Sequence, residues 1–165
     1  MAKKTLNWIL FAALALGSLS CDQGSKTWAR RSLDGKPPVT VIDGFWDFRY
    51  AENPGGAFSL FRALPAGRAV LIALGAAMLI GLAFVVRRSA AGRTWTCVAL
   101  GLVAGGAVGN LYDRVAYGRV TDFVHWHLGA HEWPVFNVAD AALVGGALLL
   151  LLRRTPRSAH PTGGR

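Results

Sequence analysis

The sequence predicts an all-α membrane protein in which four transmembrane helices carry a small extramembrane β platform between the first and second helices. One observation is the composition, since 53% of the 165 residues are apolar while the formal net charge is +9. Soluble domains of this size seldom combine these values, whereas a membrane protein with basic segments beside its spans does so naturally. The other observation is that the apolar residues are concentrated in four runs.

Each apolar run is close to the roughly 20 residues that a helix needs to cross about 30 Å of hydrocarbon. Only structures that satisfy their own backbone hydrogen bonds are tolerated there, which favours helices. We therefore expect a single transmembrane domain over residues 1–154. The predicted helices span about 6–26, 65–86, 94–112 and 135–152.

Basic residues stand at three ends of these helices. Lys3 and Lys4 precede the first helix, residues 87–93 join the second and third helices, and residues 153–157 follow the fourth. By the positive-inside rule these places are cytoplasmic, so both termini lie inside and two connections face outwards. Because the basic residues form no stripe with interleaved aromatic residues, we expect no nucleic-acid partner.

The first outer segment, residues 37–61, alternates β-branched and aromatic residues with polar ones and then reaches the turn sequence "NPGG". This pattern predicts short strands and a turn beside the bilayer. The last residues, 155–165, are rich in Pro, Gly and Ser, and we expect them to form a disordered cytoplasmic tail.

Ionisable residues in membrane helices are unfavourable by about 2.5 to 3.5 kcal/mol at the bilayer centre, so the few that are present are functional candidates. Asp22 and Lys26 are four residues apart on one face of the first helix, in the order that favours an ion pair. Asn110, Asp113 and Arg114 end the third helix, where Gly105 and Gly109 only indicate close helix packing.

Two more carboxylates are expected at the same outer surface. Asp122 lies in the second outer connection and Asp140 near the start of the fourth helix, so the two can meet in space. Two carboxylates that share a site hold one proton between them, which leaves one as a base and the other as an acid. Such a pair can hydrolyse a peptide bond with water and without a covalent intermediate.

Five ordered motifs, "DQGSK", "NPGGAFS", "GGAVGNLYDR", "VTDF" and "FNVAD", resemble those of the lipoprotein signal peptidase family, also called signal peptidase II. The resemblance implies a four-helix bacterial membrane aspartic protease with a catalytic pair at Asp122 and Asp140. It also places Asp22, Lys26 and Asp113 in the family's motifs. We expect these three to act structurally, and we expect Asp113 to pair with its neighbour Arg114. The substrate-binding positions that it implies are Asn53, Gly55, Asn110, Arg114 and Asn137.

The same resemblance implies what the protein acts on and where. We expect diacylglyceryl-modified prolipoproteins as substrates, cleaved just before the lipidated cysteine, and membrane phospholipid as the surroundings. We expect the cyclic peptide antibiotic globomycin to bind, no cofactor or metal to be needed, and the protein to be a monomer. The expected location is the bacterial inner membrane, with the active site at its outer face.

The stretch "LGSLSCDQGSK", residues 16–26, has two interpretations, because it follows an apolar run as a cleavable lipoprotein signal would. In such signals a leucine usually stands three residues before the cysteine, whereas Leu19 is only two residues before Cys21. We therefore expect a retained helix. Cys97 lies a membrane's thickness away from Cys21, too far for a disulfide, and both thiols are expected to be buried.

Three alternatives use other residues. His125, His127 and His131 have the close spacing of metal ligands. Ser25 or Ser59 with Lys26 would make a Ser/Lys protease, which needs a lysine with a strongly lowered pKa. Asp22 and Asp140 would carry ions in a channel or transporter, but such a protein places charge near the bilayer midplane.

Overall fold

The computed structural model describes residues 2–54, 66–89 and 94–152. Within these ranges the chain forms helices and one antiparallel sheet in the strand order β1-β2-β3-β4. The predicted class, a helical bundle with a small β platform, is confirmed. The elements are α1 (Ala2–Ser32), β1 (Val39–Ile42), β2 (Trp46–Asn53), α2 (Gly67–Ser89), α3 (Thr94–Ala116), β3 (Val120–Leu128), β4 (His131–Glu132) and α4 (Val138–Leu151).

The bundle is organised around α3, which packs against α1, α2 and α4. Among the described residues, α1, α2 and α3 are long and apolar enough to cross a membrane. The described part of α4 has 14 residues, about 21 Å at the α-helical rise. It is therefore shorter than a full span within the described chain, although it is as apolar as the sequence predicted.

Glycines let α1 and α4 approach α3 closely. A Cβ atom on Gly106 would lie 2.5 Å from the backbone oxygen of Ala139, and one on Gly101 would lie 2.8 Å from that of Phe11. Backbone oxygens cannot move away cheaply, so these positions require glycine. A Cβ on Gly109 would collide with the carboxylate of Asp22. The glycine at this position therefore also allows Asp22 on α1 to lie close to α3.

The first helix is longer than the sequence predicted. It ends at Ser32 rather than near residue 26 and has 31 residues, about 46 Å against about 30 Å of hydrocarbon. Its last turns contact the sheet, where the ring of Trp28 lies 5.1 Å from Phe48 and 6.0 Å from Phe123 between centroids. Hydropathy alone did not predict this extension, because packing against the sheet stabilises these turns.

The sheet is built from both outer connections, whereas the prediction confined the platform to residues 37–61. β3 and β4 come from the connection between α3 and α4, and β3 pairs with β2 along its length. Asp122 is thereby on a strand, opposite Ala51, rather than in a loop. Asn53 is the last residue of β2, two residues after Ala51.

Some predictions concern residues outside the described ranges, namely Gly55, Ser59, the end of the platform and the tail 155–165. Of the two cysteines, Cys97 is buried as expected, but Cys21 is exposed on α1. The prediction of a buried Cys21 was wrong because that position faces away from α3.

We expect Gly106→Val to lower the stability of the purified protein in detergent by about 1–3 kcal/mol, the usual effect of overpacking. Its side chain would force α4 away from α3 at Ala139. Thermal unfolding of the intact protein is the measurement. Gly81→Val is the matched control, because a Cβ at Gly81 on α2 meets nothing within 4 Å. Equal melting temperatures for the two variants would contradict the role of Gly106.

Candidate active site

A buried lysine lies at the junction of the helices. The Nζ atom of Lys26 is 2.9 Å from Oδ2 of Asp22 and 3.4 Å from Oδ2 of Asp113, and all three side chains are fully buried. Nζ also donates to Oδ1 of Asn110 at 2.9 Å. One ammonium group therefore compensates two carboxylates and orients an amide, which joins α1 to α3.

The same two carboxylates fix the start of two other elements. Oδ1 of Asp22 accepts a hydrogen bond from the backbone N–H of Ala139 in the first turn of α4, at 2.9 Å. Oδ2 of Asp113 accepts from the backbone N–H of Thr121 in β3, at 3.1 Å. A free backbone donor at a helix start attracts an acid. The cluster therefore positions both segments that carry the predicted catalytic aspartates.

Gln23 completes this cluster and was missed by the sequence analysis as a site residue. Its Nε2 atom lies 3.0 Å from Oδ2 of Asp22, 3.2 Å from Oδ1 of Asp113 and 3.2 Å from the backbone oxygen of Gly109. The available signal was its place inside "DQGSK", between the two residues that were selected. The amide of Gln23 thus lies between the two carboxylates and donates hydrogen bonds to both.

Asn110 accepts a hydrogen bond from Lys26 and donates one to Asp140. Because an ammonium group can only donate, the amide oxygen of Asn110 must face Lys26, and its Nδ2 atom then donates to Oδ1 of Asp140 at 2.8 Å. The orientation of the Asn110 amide is thus determined by chemistry. Asp140 receives a directed hydrogen bond on the oxygen that faces the bundle.

Asn137 holds both predicted catalytic residues. It is the N-cap of α4, where its side-chain oxygen accepts from the backbone N–H of Asp140 and its own N–H donates to Oδ2 of Asp140. This capping box leaves Nδ2 free to donate to Oδ1 of Asp122 at 2.6 Å. The spacing Asn-x-x-Asp was a sequence signal for the cap, and the structure shows that the same amide reaches Asp122.

Asp122 has the environment of a carboxyl group with a raised pKa. It is 3% exposed, and Asn53 donates to its Oδ2 atom at 3.2 Å. Burial, followed by the negative charge of Asp140, raises the pKa of Asp122 from 3.8 to about 7, although the hydrogen bonds from Asn137 and Asn53 oppose this. Near neutral pH this group can therefore hold or release a proton.

The two aspartates line one cavity of about 260 Å³ at the end of the bundle that carries the sheet. Its walls combine polar groups from four elements with an apolar rim that precedes α4. Because polar groups are few and converge at one point of a partly apolar pocket, the cavity has the form of a substrate site. The lining residues are Asn53, Asn110, Arg114, Val120, Asp122, Trp133, Pro134, Val135, Phe136 and Asp140.

Arg114 contributes an unused donor to this cavity. Its Nη1 atom donates to the backbone oxygen of Asn110 at 3.1 Å, while its buried Nε finds no hydrogen-bond partner among the described residues. The expected pairing of Arg114 with Asp113 was wrong. Asp113 pairs with Lys26 and lies 3.8 Å from Arg30 instead, because adjacent helical residues point in different directions.

The structure brings most of the predicted site residues together. Asn53, Asn110, Arg114 and both aspartates border the cavity, and Asn137 lies behind them as a bridge. The alternatives fare differently. The three acceptors around Lys26 leave no lysine donor for Ser25, whose hydroxyl donates to the backbone oxygen of Asp22. Among the described residues, His125 and His127 form a cluster of possible ligands with Asp47, and His131 is not part of it.

Helices that cross a membrane, an outer sheet and a cavity with a carboxylate pair define a membrane-embedded aspartic peptidase. Comparison with known proteins agrees. The family model described as signal peptidase (SPase) II matches residues 14–155. The chain therefore belongs to the signal peptidase II family and is an aspartic protease.

Individual relatives support this membership. The lipoprotein signal peptidase of Xanthomonas axonopodis pv. citri (strain 306) is 42% identical over 144 residues, covering 87% of this chain and 82% of the relative. That of Xylella fastidiosa (strain 9a5c) is 35% identical over 145 residues, covering 86% of each. A solved bacterial membrane enzyme structure at 1.9 Å superimposes with a TM-score of 0.78 at 27% identity, covering 88% of this chain and 94% of that one.

We expect Lys26→Met to destabilise the folded protein by about 3–5 kcal/mol, because it leaves Asp22 and Asp113 buried without a counter-charge. Yield and melting temperature in detergent are the measurements. Lys36→Met is the matched control, since Lys36 is exposed and lies outside the bundle. A Lys26→Met protein that unfolds at the wild-type temperature would show that the cluster does not hold the bundle.

Proposed function

We propose that Asp122 and Asp140 jointly activate one water molecule to cleave the signal peptide from diacylglyceryl-modified prolipoproteins, just before the lipidated cysteine. The observation that carries this proposal is the amide bridge between the two carboxylates. Asn110 donates to Asp140, Asn137 donates to Asp122, and Nδ2 of Asn137 also lies 3.2 Å from Oδ1 of Asn110. Such a bridge positions two acids in one cavity without neutralising either of them.

The proposed reaction follows from the environment of each carboxyl group. Asp122 holds the shared proton, since burial and the nearby charge favour its neutral form. Asp140 accepts a proton from water as the water oxygen bonds to the scissile carbonyl carbon, and Asp122 protonates the carbonyl oxygen. When the C–N bond breaks, the proton on Asp140 passes to the leaving nitrogen. The carbonyl re-forms and returns the other proton to Asp122.

The surrounding polar groups are proposed to bind the substrate backbone. Arg114 offers a buried N–H group beside the cavity, and a substrate carbonyl is the natural acceptor for it. Asn53 is proposed to act on both Asp122 and the substrate from the end of β2. Gly55 keeps its proposed substrate-binding role from the family resemblance alone. Asp22, Lys26 and Asp113 are proposed to act structurally.

The proposed setting is the bacterial inner membrane, with the cavity at the outer face and phospholipid around the helices. α1 and α3 run in the same direction, and the basic residues Arg87 and Arg88 end α2 on the side opposite the cavity. This arrangement supports a cytoplasmic location for both termini. We further propose that the monomer is the active form and that globomycin binds in the cavity, both from the family resemblance.

The central test is the incubation of purified protein with a diacylglyceryl-modified prolipoprotein. We expect Asp122→Asn and Asp140→Asn each to lower kcat by roughly 10²–10⁴-fold, because each removes one proton-transfer partner. The double variant should be scarcely slower than either single one, since the two residues act as a unit. A gel shift of the cleaved product gives the rate.

Asp113→Asn is the matched control, because it removes a buried carboxylate of the structural cluster from the same part of the fold. It should keep measurable turnover, with a lowered melting temperature. If Asp113→Asn were folded and inactive while Asp122→Asn still cleaved, the catalytic pair would be assigned to the wrong aspartate.

The rate should also depend on pH in a way that identifies Asp122. Because Asp122 must be protonated and its pKa is about 7, we expect kcat to fall as pH rises above about 7. Asn53→Ala removes a hydrogen bond that favours the ionised form, so the alkaline limb should move to higher pH. Asn7→Ala, near the opposite end of α1, is the control for a general change in the bundle. An alkaline limb that does not move in Asn53→Ala would contradict the contact with Asp122.

A further inference from the structure

A cluster of metal-ligating side chains lies on the outer sheet, apart from the cavity. His125 and His127 are two residues apart on β3, so their side chains project from the same face of the sheet. Asp47 on β2 is the register partner of His125, which places it on that face as well. One ligand atom from each of the three residues lies within 4.8 Å of the other two.

The three groups converge on one carboxylate oxygen. Oδ2 of Asp47 is 2.8 Å from Nε2 of His127 and 3.9 Å from Nδ1 of His125. The two imidazole rings are stacked, with centroids 5.2 Å apart and planes inclined by 25°. Ligands bonded to zinc at about 2.0–2.2 Å in a tetrahedron stand roughly 3.3–3.6 Å apart. The ligand atoms, all within 4.8 Å of one another, are therefore close to the separations of such a site.

A second observation concerns the other nitrogen of His125. This side chain is 6% exposed, and its Nε2 atom makes no hydrogen bond to any described residue, although Oε2 of Glu132 is only 3.5 Å away. A histidine that binds a metal through one nitrogen commonly donates its other N–H to a carboxylate. Metal binding at Nδ1 would put the proton on Nε2, facing Glu132. Metal binding would therefore give the buried Nε2 atom of His125, which has no hydrogen-bond partner among the described residues, a proton to donate to Glu132.

We propose that Asp47, His125 and His127 bind one Zn²⁺ ion on the outer sheet, with Glu132 orienting His125. Two imidazoles and one carboxylate are a ligand set of zinc sites, whereas Mg²⁺ and Ca²⁺ prefer sets of oxygen atoms. The side chains of Asp47 and His127 are 18% and 22% exposed, so the ion has access from solvent. The fourth coordination position is open to water.

The proposed ion takes no part in peptide hydrolysis. Side chains alternate along β3, so Asp122 projects from the face opposite His125. The ion instead joins β2 to β3, the two strands that carry Asn53 and Asp122. Its role is to hold those strands in register at the end remote from the cavity. The site therefore differs from the three-histidine site considered from the sequence, because Asp47 replaces His131.

The test uses the full chain with a purification tag that contains no histidine, in detergent, after treatment with a chelator and desalting. Calorimetric titration with Zn²⁺ should show one equivalent bound to the wild-type protein. We expect His127→Ala and Asp47→Ala each to weaken binding at least about 100-fold, and Glu132→Gln to weaken it by about 10–100-fold. His131→Ala is the matched control and should bind as wild type does. Millimolar Mg²⁺ should not displace the ion.

Two further measurements separate ligand loss from misfolding. Zn²⁺ should raise the melting temperature of the wild type and of His131→Ala, but not that of His127→Ala. Co²⁺ bound to the wild type should give the intense visible absorption of a four- or five-coordinate site. An absence of Zn²⁺ binding, a weak six-coordinate Co²⁺ spectrum, or unchanged affinity in His127→Ala and Asp47→Ala would each overturn the proposal. So would displacement by Mg²⁺ or an equal loss in His131→Ala.

Discussion

The ammonium group of Lys26 is buried, and this burial constrains the end of the protein at which the helices meet the sheet. A charge removed from water must be compensated within a few ångströms, and Lys26 is compensated by Asp22 from its own helix and Asp113 from α3. Each carboxylate then uses its remaining capacity on a backbone N–H, one at the start of α4 and one in β3. The helices, the sheet and the cavity therefore share one electrostatic centre.

The two aspartates proposed as catalytic depend on that centre without belonging to it. Asn110 lies between Lys26 and Asp140 and hydrogen-bonds to both. Lys26 therefore orients the amide that binds Asp140, and this amide is neutral. Asp122 is held by Asn137 and Asn53 in a buried position. Neutral amides hold a carboxylate in place without pairing it with a cation, so the proton can remain. Asp22 and Asp113 pair with a cation, whereas Asp122 and Asp140 accept hydrogen bonds from neutral amides. This difference fits the structural role proposed for the first two and the catalytic role proposed for the other two.

The outer sheet supplies the other half of the cavity. Its strands come from connections that are far apart in the chain, and β2 and β3 bring Asn53 beside Asp122. The extended end of α1 supports the sheet through Trp28, Phe48 and Phe123. A zinc ion bound by Asp47, His125 and His127 would add a cross-strand link on the face of β3 that also carries Phe123. The helical bundle and the sheet thus meet at the cavity proposed as the active site.

The sequence by itself determined the class of protein and the family resemblance and led to the proposal of the two aspartates, because apolar run lengths, basic ends and short motifs are local properties. It also indicated the Asp22–Lys26 pair, which is an i, i+4 contact within one helix. Only the tertiary structure decided the partner of Asp113, the length of α1, the strand position of Asp122 and the contacts of Gln23 and Asp47. Each of these depends on groups from distant segments, and spacing along the chain does not encode which of several buried donors will face a given carboxylate.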